Sequence, residues 1–199
     1  MRKTIVGVSG DCRGFDDTKE KLSLELGKAL IDNGYRILTG GLKGVMKYVC
    51  KGAKQSANYQ SGDTIGLLPM TDENEANVYV DIPIATGFDL ARDNIIANAP
   101  ISVFIGGGSG TLGEMANAWT FGRMMIGYTN AQGASSQYAG KMMGMPRFDF
   151  EDKVWPVTNA QEVIDTINKH YKNYTTVLHK LHYNKREMIT RREPRTEED

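Results

Sequence analysis

The residues best suited to bind an anion form a glycine-rich run between two regular elements. The apolar segment Ile101–Ile105 leads into this run, and a helical pattern opens behind it. Glycines let backbone N–H groups approach an anion closely, and a helix N-terminus adds partial positive charge. The run therefore predicts a phosphate site, with the carboxylate of Glu114 in reach of the bound molecule. The predicted phosphate-binding residues are Gly107, Gly108, Ser109, Gly110 and Thr111.

A second glycine turn lies upstream, between the strand-like segment 35–39 and a helical pattern that opens at Val45. Two strand-to-helix turns of this kind in one short chain favour a nucleotide or another phosphorylated ligand. Gly40, Gly41 and Gly44 are therefore predicted ligand contacts.

Three further candidates follow the first predicted strand. Ser9, Gly10 and Arg13 stand at the same edge of the predicted sheet as both glycine turns. Ser9 and Gly10 are predicted to line the ligand site, and Arg13 is a candidate contact to a base or a phosphate. Lys43 fits a solvated loop charge as well as a ligand contact.

The downstream run formally matches the dinucleotide fingerprint at Gly108, Gly110 and Gly113. The match falls on the fourth or fifth strand, and no acidic residue stands at a following strand end about 20 residues on. A Gly-Lys-Ser/Thr ending is also missing, which excludes an ATPase phosphate loop. A mononucleotide or another singly phosphorylated ligand fits better.

Short apolar runs alternate with amphipathic segments along most of the chain. Runs that are apolar throughout are typical of a parallel sheet covered on both faces. Their alternation with helices predicts a single α/β domain with a Rossmann-like, doubly wound, mostly parallel sheet and helices on both faces. The predicted strands are Thr4–Val8, Tyr35–Thr39, Thr64–Leu68, Val78–Ile82, Ile101–Ile105 and Val154–Val157, and the predicted helices include one ending at Asn33, Phe88–Asn98, Thr111–Met125 and Ala160–Tyr171.

The pattern predicts a Rossmann-like nucleotide-binding domain over residues 1–173. Within it, residues 127–153 are rich in Gly, Ser, Met and Tyr, which indicates a loop or flap. Residues 174–199 are predicted to form a C-terminal helix and a charged, flexible tail from Lys185.

The composition argues against several classes of function. The 199 residues include 24 basic and 24 acidic side chains, so no global field favours nucleic acid or an anionic membrane. No segment is long and apolar enough to span a bilayer, and the two cysteines favour a reducing compartment. We expect a cytoplasmic protein that binds a small-molecule nucleotide such as AMP, with no nucleic-acid or membrane partner and no resident cofactor. His179 and His182 lack a third ligand, so no metal site is predicted.

Four segments in order along residues 4–125 carry a family resemblance. They are Val8-Ser9-Gly10 with Arg13-Gly14, then Gly40-Gly41-Leu42-Lys43-Gly44-Val45-Met46, then 62–69, then 106–114. They resemble the LOG family, formerly labelled lysine decarboxylases, and more closely its relatives, the DprA/Smf-related Rossmann proteins and the molybdenum-cofactor carriers. The resemblance implies a homo-oligomer, a dimer or a tetramer. On the predicted helix after the motif, the candidates for packing against a second subunit are Trp119, Phe121 and Met125.

LOG enzymes release the base from a nucleoside 5′-monophosphate, leaving ribose 5-phosphate. The resemblance implies catalytic roles for Glu114 and Arg92: an ionised Glu114 stabilises the oxocarbenium-like sugar and positions water, and Arg92 grips phosphate or base. Two positions depart from the LOG pattern. Gly106 replaces a proline, and the Glu-Arg-Lys triplet one helix earlier is reduced to Arg92.

Several alternatives stay open at the level of sequence. Thr111 and Glu114 also fit a helix capping box, and Arg92 can pair with Asp89 on one helix face. The protein is either a phosphoribohydrolase or a binding protein without chemistry, which would be a nucleotide sensor or a carrier of a phosphorylated, molybdopterin-like cofactor. Binding of DNA finds no basic stripe to support it.

Overall fold

The computed structural model describes the backbone of residues 2–190 and the side chains of residues 2–175. Seven strands form one parallel sheet in the order β4-β3-β2-β1-β5-β6-β7. The strands are β1 Ile5–Gly10, β2 Arg36–Thr39, β3 Thr64–Leu68, β4 Ile82–Ala85, β5 Ile101–Ile105, β6 Met124–Tyr128 and β7 Val154–Val157. The α-helices are α1 Asp17–Asp32, α2 Val45–Ala53, α3 Asp93–Ala97, α4 Ser109–Thr120, α5 Ala134–Tyr138 and α6 Ala160–Thr190.

Helices cover both faces of the sheet, as predicted. The largest apolar cluster joins α1, α2 and α6 to one face, and smaller clusters join α3, α4 and α5 to the other. Strand β5 supplies both, because Val103 faces the first cluster and Phe104 the second. The predicted doubly wound, single-domain α/β fold is confirmed, and every strand pairing is parallel.

Helices α1 and α2 touch through their backbones. A Cβ atom on Gly27 of α1 would lie 1.9 Å from the carbonyl oxygen of Val49. A Cβ atom on Gly52 of α2 would lie 2.1 Å from the carbonyl oxygen of Leu24. Any side chain at either position would therefore force the two helices apart.

Two predicted elements have other bounds in the structure, and one strand was not predicted. Helix α4 ends at Thr120, because Gly122 adopts a φ of 69° and the N–H of Arg123 bonds the carbonyl of Ala118 in a Schellman arrangement. Residues Met124–Tyr128, predicted partly as helix and partly as loop, then form the buried strand β6. The edge strand β4 begins at Ile82, because residues 77–81 form a turn braced by Asn77.

The predicted helix over 88–98 is split. Asp89–Arg92 forms a 3₁₀ turn and α3 follows, because Asp89 enters the segment with a φ of 48°.

The predicted flap over 127–153 contains regular structure and a firm anchor. It includes the end of β6 and helix α5. Arg147 holds the remaining loop by a salt bridge to Asp152, with an Nε to Oδ2 distance of 2.7 Å, and by stacking 3.8 Å from the Trp119 ring.

The chain end also differs from its prediction. Helix α6 continues to Thr190, so residues 185–190 are helical, and the rest of the predicted flexible tail, 191–199, lies outside the described residues. The side chains of His179 and His182 lie outside them too. None of the helices within residues 2–190 combines the length and apolar character that a bilayer crossing needs.

Candidate functional site

A candidate cavity of about 430 Å³ opens at the carboxyl ends of β1, β2 and β5. The strand order changes direction between β1 and β5, and the edge at this switch point is the usual ligand site of doubly wound sheets. The structure brings most of the predicted site residues to its wall. They are Ser9, Gly10, Arg13, Gly40, Arg92, Gly108, Ser109, Gly110, Thr111 and Glu114.

The N-terminus of α4 presents open donors to this cavity. The helix begins at Ser109 with Gly108 as its N-cap, and no side chain caps it. Its first N–H groups, at 109–111, therefore have no partner within the helix. Thr111 lies inside the first turn, so the capping-box interpretation of Thr111 and Glu114 is wrong. A Cβ atom on Gly108 or Gly110 would meet nothing within 4 Å, because both face open space.

The first half of the same glycine turn is closed by protein groups. The N–H of Gly107 donates to the carboxylate of Asp11 at 2.9 Å, and the N–H of Gly106 donates to Ser135 Oγ at 2.8 Å. The carbonyl of Gly107 accepts from the N–H of Ala134 at 2.7 Å. Gly107, predicted to hold phosphate, does not line the cavity, and its N–H is occupied.

The upstream turn behaves differently from its prediction. Gly40 lines the cavity, where a Cβ atom would lie 2.5 Å from an Arg92 guanidinium nitrogen. Gly41 and Gly44 do not line it. The N–H of Gly41 donates to Thr39 Oγ1, and a Cβ atom on Gly44 would lie 2.1 Å from the carbonyl oxygen of Asp11. These two glycines serve close backbone packing.

Arg92 is buried against the cavity with an incomplete set of partners. Only 8% of the residue is exposed, and its Nε has no hydrogen-bond partner. One guanidinium nitrogen lies 3.4 Å from Asp93 Oδ1. Its ion pair is therefore with Asp93, not with the predicted Asp89. A buried guanidinium with a free N–H is costly unless a ligand satisfies it.

Glu114 faces the cavity as a neutral carboxylic acid near pH 7. Burial, reinforced by the nearby charge of Asp93, raises its pKa to about 8, against the opposing effects of a hydrogen bond with Ser9 and the charge of Arg92. The sequence-based mechanism required an ionised Glu114, which this environment provides only above that pH. Burial also raises the pKa of Asp93.

Several cavity residues carry no sequence motif and were missed. Asp11 and Asp93 are single acidic residues whose roles depend on contacts across the fold. The other lining residues that were not predicted as site residues are Val8, Cys12, Leu42, Met46 and Leu90. Across the described residues, no three His, Cys, Asp or Glu side chains are placed to hold a metal ion.

Comparison with known proteins agrees with the observed fold. The family model of the SLOG cluster4 family matches residues 3–164. The chain belongs to this family. A protein of Archaeoglobus fulgidus with no described function is 32% identical over 124 residues, which are 62% of this chain and 76% of the relative.

Solved structures of molybdenum-cofactor proteins are similar along most of the SLOG cluster4 chain. The molybdenum cofactor binding protein of Rippkaea orientalis is 30% identical with a TM-score of 0.70, covering 84% of this chain and 97% of its own. The carrier protein of Chlamydomonas reinhardtii is 32% identical with a TM-score of 0.66, covering 84% and 98%. DNA processing protein A of Helicobacter pylori, at 17% identity and a TM-score of 0.57, shares the fold.

Two residues assigned to a subunit interface are covered within the chain itself. Met125 is fully buried on β6, and Trp119 lies beneath the Arg147 guanidinium at 8% exposure. Phe121 remains 37% exposed. The predicted homo-oligomer stays a prediction and would need other contacts.

Proposed function

We propose that this protein binds a phosphorylated molybdenum cofactor at the candidate cavity and carries it without chemical change. One observation carries the proposal: the free N–H groups at the start of α4 and the buried guanidinium of Arg92 line one cavity. Both are donors that an anionic ligand would satisfy, and Arg92 adds a full positive charge.

The chemistry of the remaining wall supports binding over catalysis. A neutral Glu114 does not repel a bound phosphate, whereas an ionised one in the same buried position would. The cavity volume of about 430 Å³ lies in the range of pockets for ligands of cofactor size. The solved relatives named for molybdenum cofactor are 30% and 32% identical over nearly their whole length.

The second candidate function is a nucleoside 5′-monophosphate phosphoribohydrolase. The raised pKa of Glu114 favours it in a different role from the predicted one, as a general acid. Water would bond to the sugar C1′ and the glycosidic electron pair would leave with the base, which takes its proton from Glu114. Asp93, a second carboxyl of the cavity, would receive the proton that water releases.

One experiment separates the two functions. The full chain is isolated under reducing conditions, and the small molecules released on denaturation are identified by mass spectrometry. We expect a phosphorylated pterin, and no release of free base from a panel of nucleoside monophosphates. Base release that stops in Glu114→Gln would instead establish the hydrolase.

A matched pair of arginine variants tests the site itself. Arg92→Gln removes the guanidinium that faces the cavity, so we expect ligand retention to fall at least about tenfold. Arg123→Gln is the control, because Arg123 bonds Asn98 outside the cavity. Equal retention by both variants would contradict the proposed site.

A further inference from the structure

Asp11, the residue that follows β1, contacts both glycine turns at once. Its main-chain carbonyl accepts a hydrogen bond from the N–H of Val45, the first residue of α2, at 3.0 Å. Its carboxylate Oδ2 accepts from the N–H of Gly107 at 2.9 Å. One residue thereby occupies two backbone donors that a second anionic group of a ligand would need.

The charge of Asp11 is matched by a buried lysine. Lys19 Nζ lies 2.8 Å from Asp11 Oδ2 and donates to the carbonyl of Gly14 at 2.7 Å, and only 5% of Lys19 is exposed. Burial alone would lower the pKa of Lys19, but its hydrogen bond and ion pair with Asp11 raise it overall. The lysine therefore stays protonated, and its charge is neutralised inside the protein instead of being offered to a ligand.

Asp11 and Lys19 also fill the space beside Gly106, in the first half of the downstream turn. A Cβ atom on Gly106 would lie 2.3 Å from Asp11 Oδ2 and 2.9 Å from Lys19 Cε. On its other side the turn is held by α5, through the N–H of Ser135 to the carbonyl of Gly106 at 2.9 Å. No room remains there for a ligand atom.

We propose that Asp11 is a specificity-determining residue that restricts the site to ligands carrying a single phosphate group. The inference rests on the proposed function in one respect, that the cavity binds a phosphorylated ligand. The donors of Gly107 and Val45 are occupied, whereas the first turn of α4 keeps free N–H groups for an anion. The second phosphate of a diphosphate would face the Asp11 carboxylate and be repelled by it.

The test compares inorganic phosphate with pyrophosphate, titrated calorimetrically into the full chain. Asp11→Ala frees the N–H of Gly107 and the charge of Lys19. We expect the affinity ratio to shift toward pyrophosphate by about tenfold, which corresponds to about 1.4 kcal/mol. Asp11→Asn keeps the volume and removes the charge, so a smaller shift in the same direction is expected, and circular dichroism checks that each variant is folded.

Asp16→Asn is the matched control. Asp16 also lies near Lys19, at 3.5 Å, but its side chain caps α1 and does not reach the glycine turn. An asparagine keeps the cap, so the ratio should stay at its wild-type value. A purely structural role of Asp11 would weaken binding of both anions in proportion and leave the ratio unchanged.

The outcomes separate this inference from the proposed function. Wild-type protein that binds phosphate, shows an anion ratio that depends on Asp11 and releases no phosphorylated pterin on denaturation would overturn the proposed function and support the role of Asp11. A ratio that does not change in either Asp11 variant overturns the inference, as does a lack of binding by every variant.

Discussion

The two glycine turns of this chain look alike in sequence and differ in what satisfies their backbone donors. In the upstream turn, the N–H of Gly41 bonds Thr39, and Asn77 Nδ2 donates to the carbonyls of Gly41 and Leu42 at 2.9 and 2.8 Å. In the downstream turn, the N–H groups at the start of α4 face an open cavity. We call the upstream turn the closed turn and the downstream turn the open turn.

Glycine content alone therefore does not predict a ligand site. Glycines in the closed turn allow protein backbone to approach, at Asp11 and at β3. Glycines 108 and 110 of the open turn leave space that nothing in the described chain fills. Unsatisfied donors, which appear only once the fold is known, distinguish a binding turn from a packing turn.

The largest effect on stability is expected when a methyl group is added to the closed turn. Gly44→Ala combines a φ of 67° with a Cβ position 2.1 Å from the Asp11 carbonyl oxygen. We expect a loss of unfolding free energy of more than about 3 kcal/mol in urea titrations. Gly110→Ala is the control in the open turn, where we expect a change within about 1 kcal/mol. Equal losses would remove the distinction between the turns.

A smaller effect is expected on the pH dependence of stability, through Glu114 beside the open turn. The folded-state pKa of Glu114, about 8, lies above the ordinary value, so the folded chain retains a proton that the unfolded chain has lost. Stability should therefore fall as pH rises from about 5 to about 8, by on the order of 1 kcal/mol per pH unit. Glu114→Gln should flatten this slope in urea titrations at several pH values. Glu25→Gln, an exposed change on α1, should leave it as steep as in the wild type.

The smallest effect removes a single donor from the open turn. Proline is tolerated at the first position of a helix but lacks an N–H, so Ser109→Pro deletes a donor without breaking α4. We expect affinity for inorganic phosphate or AMP to fall about tenfold, with stability changed by less than about 1 kcal/mol. Ser109→Ala keeps the donor and should bind nearly as the wild type does. Identical affinities in a calorimetric titration of both variants would argue against an anion at this helix start.

The sequence predicted well those elements whose signals are local. The bounds of Thr64–Leu68, Ile101–Ile105 and Val154–Val157 agree with the structure, because each is a short apolar run with clear flanking breaks. Strand β6 was missed, because its methionines continue the helical pattern of α4, although Gly122 marks the end of that helix.

The site residues that were predicted are likewise those with a local sequence signal. Arg92, Ser9 and Glu114 stand beside recognisable motifs, and the structure places all three at the cavity. The role of Asp11 depends on a hydrogen bond to a residue 96 positions away, which no local pattern encodes. The neutral state of Glu114 likewise follows from burial, a property of the assembled fold.

The close backbone contacts at Gly27 and Gly52 have a consequence for how the cavity can open. At each glycine, a carbonyl oxygen of the facing helix occupies the place of a side chain, so α1, α2 and the closed turn should move as one rigid block. Entry of a bulky ligand would then depend on the opposite rim, where Phe88 and Leu90 are 60% and 72% exposed on a short 3₁₀ turn.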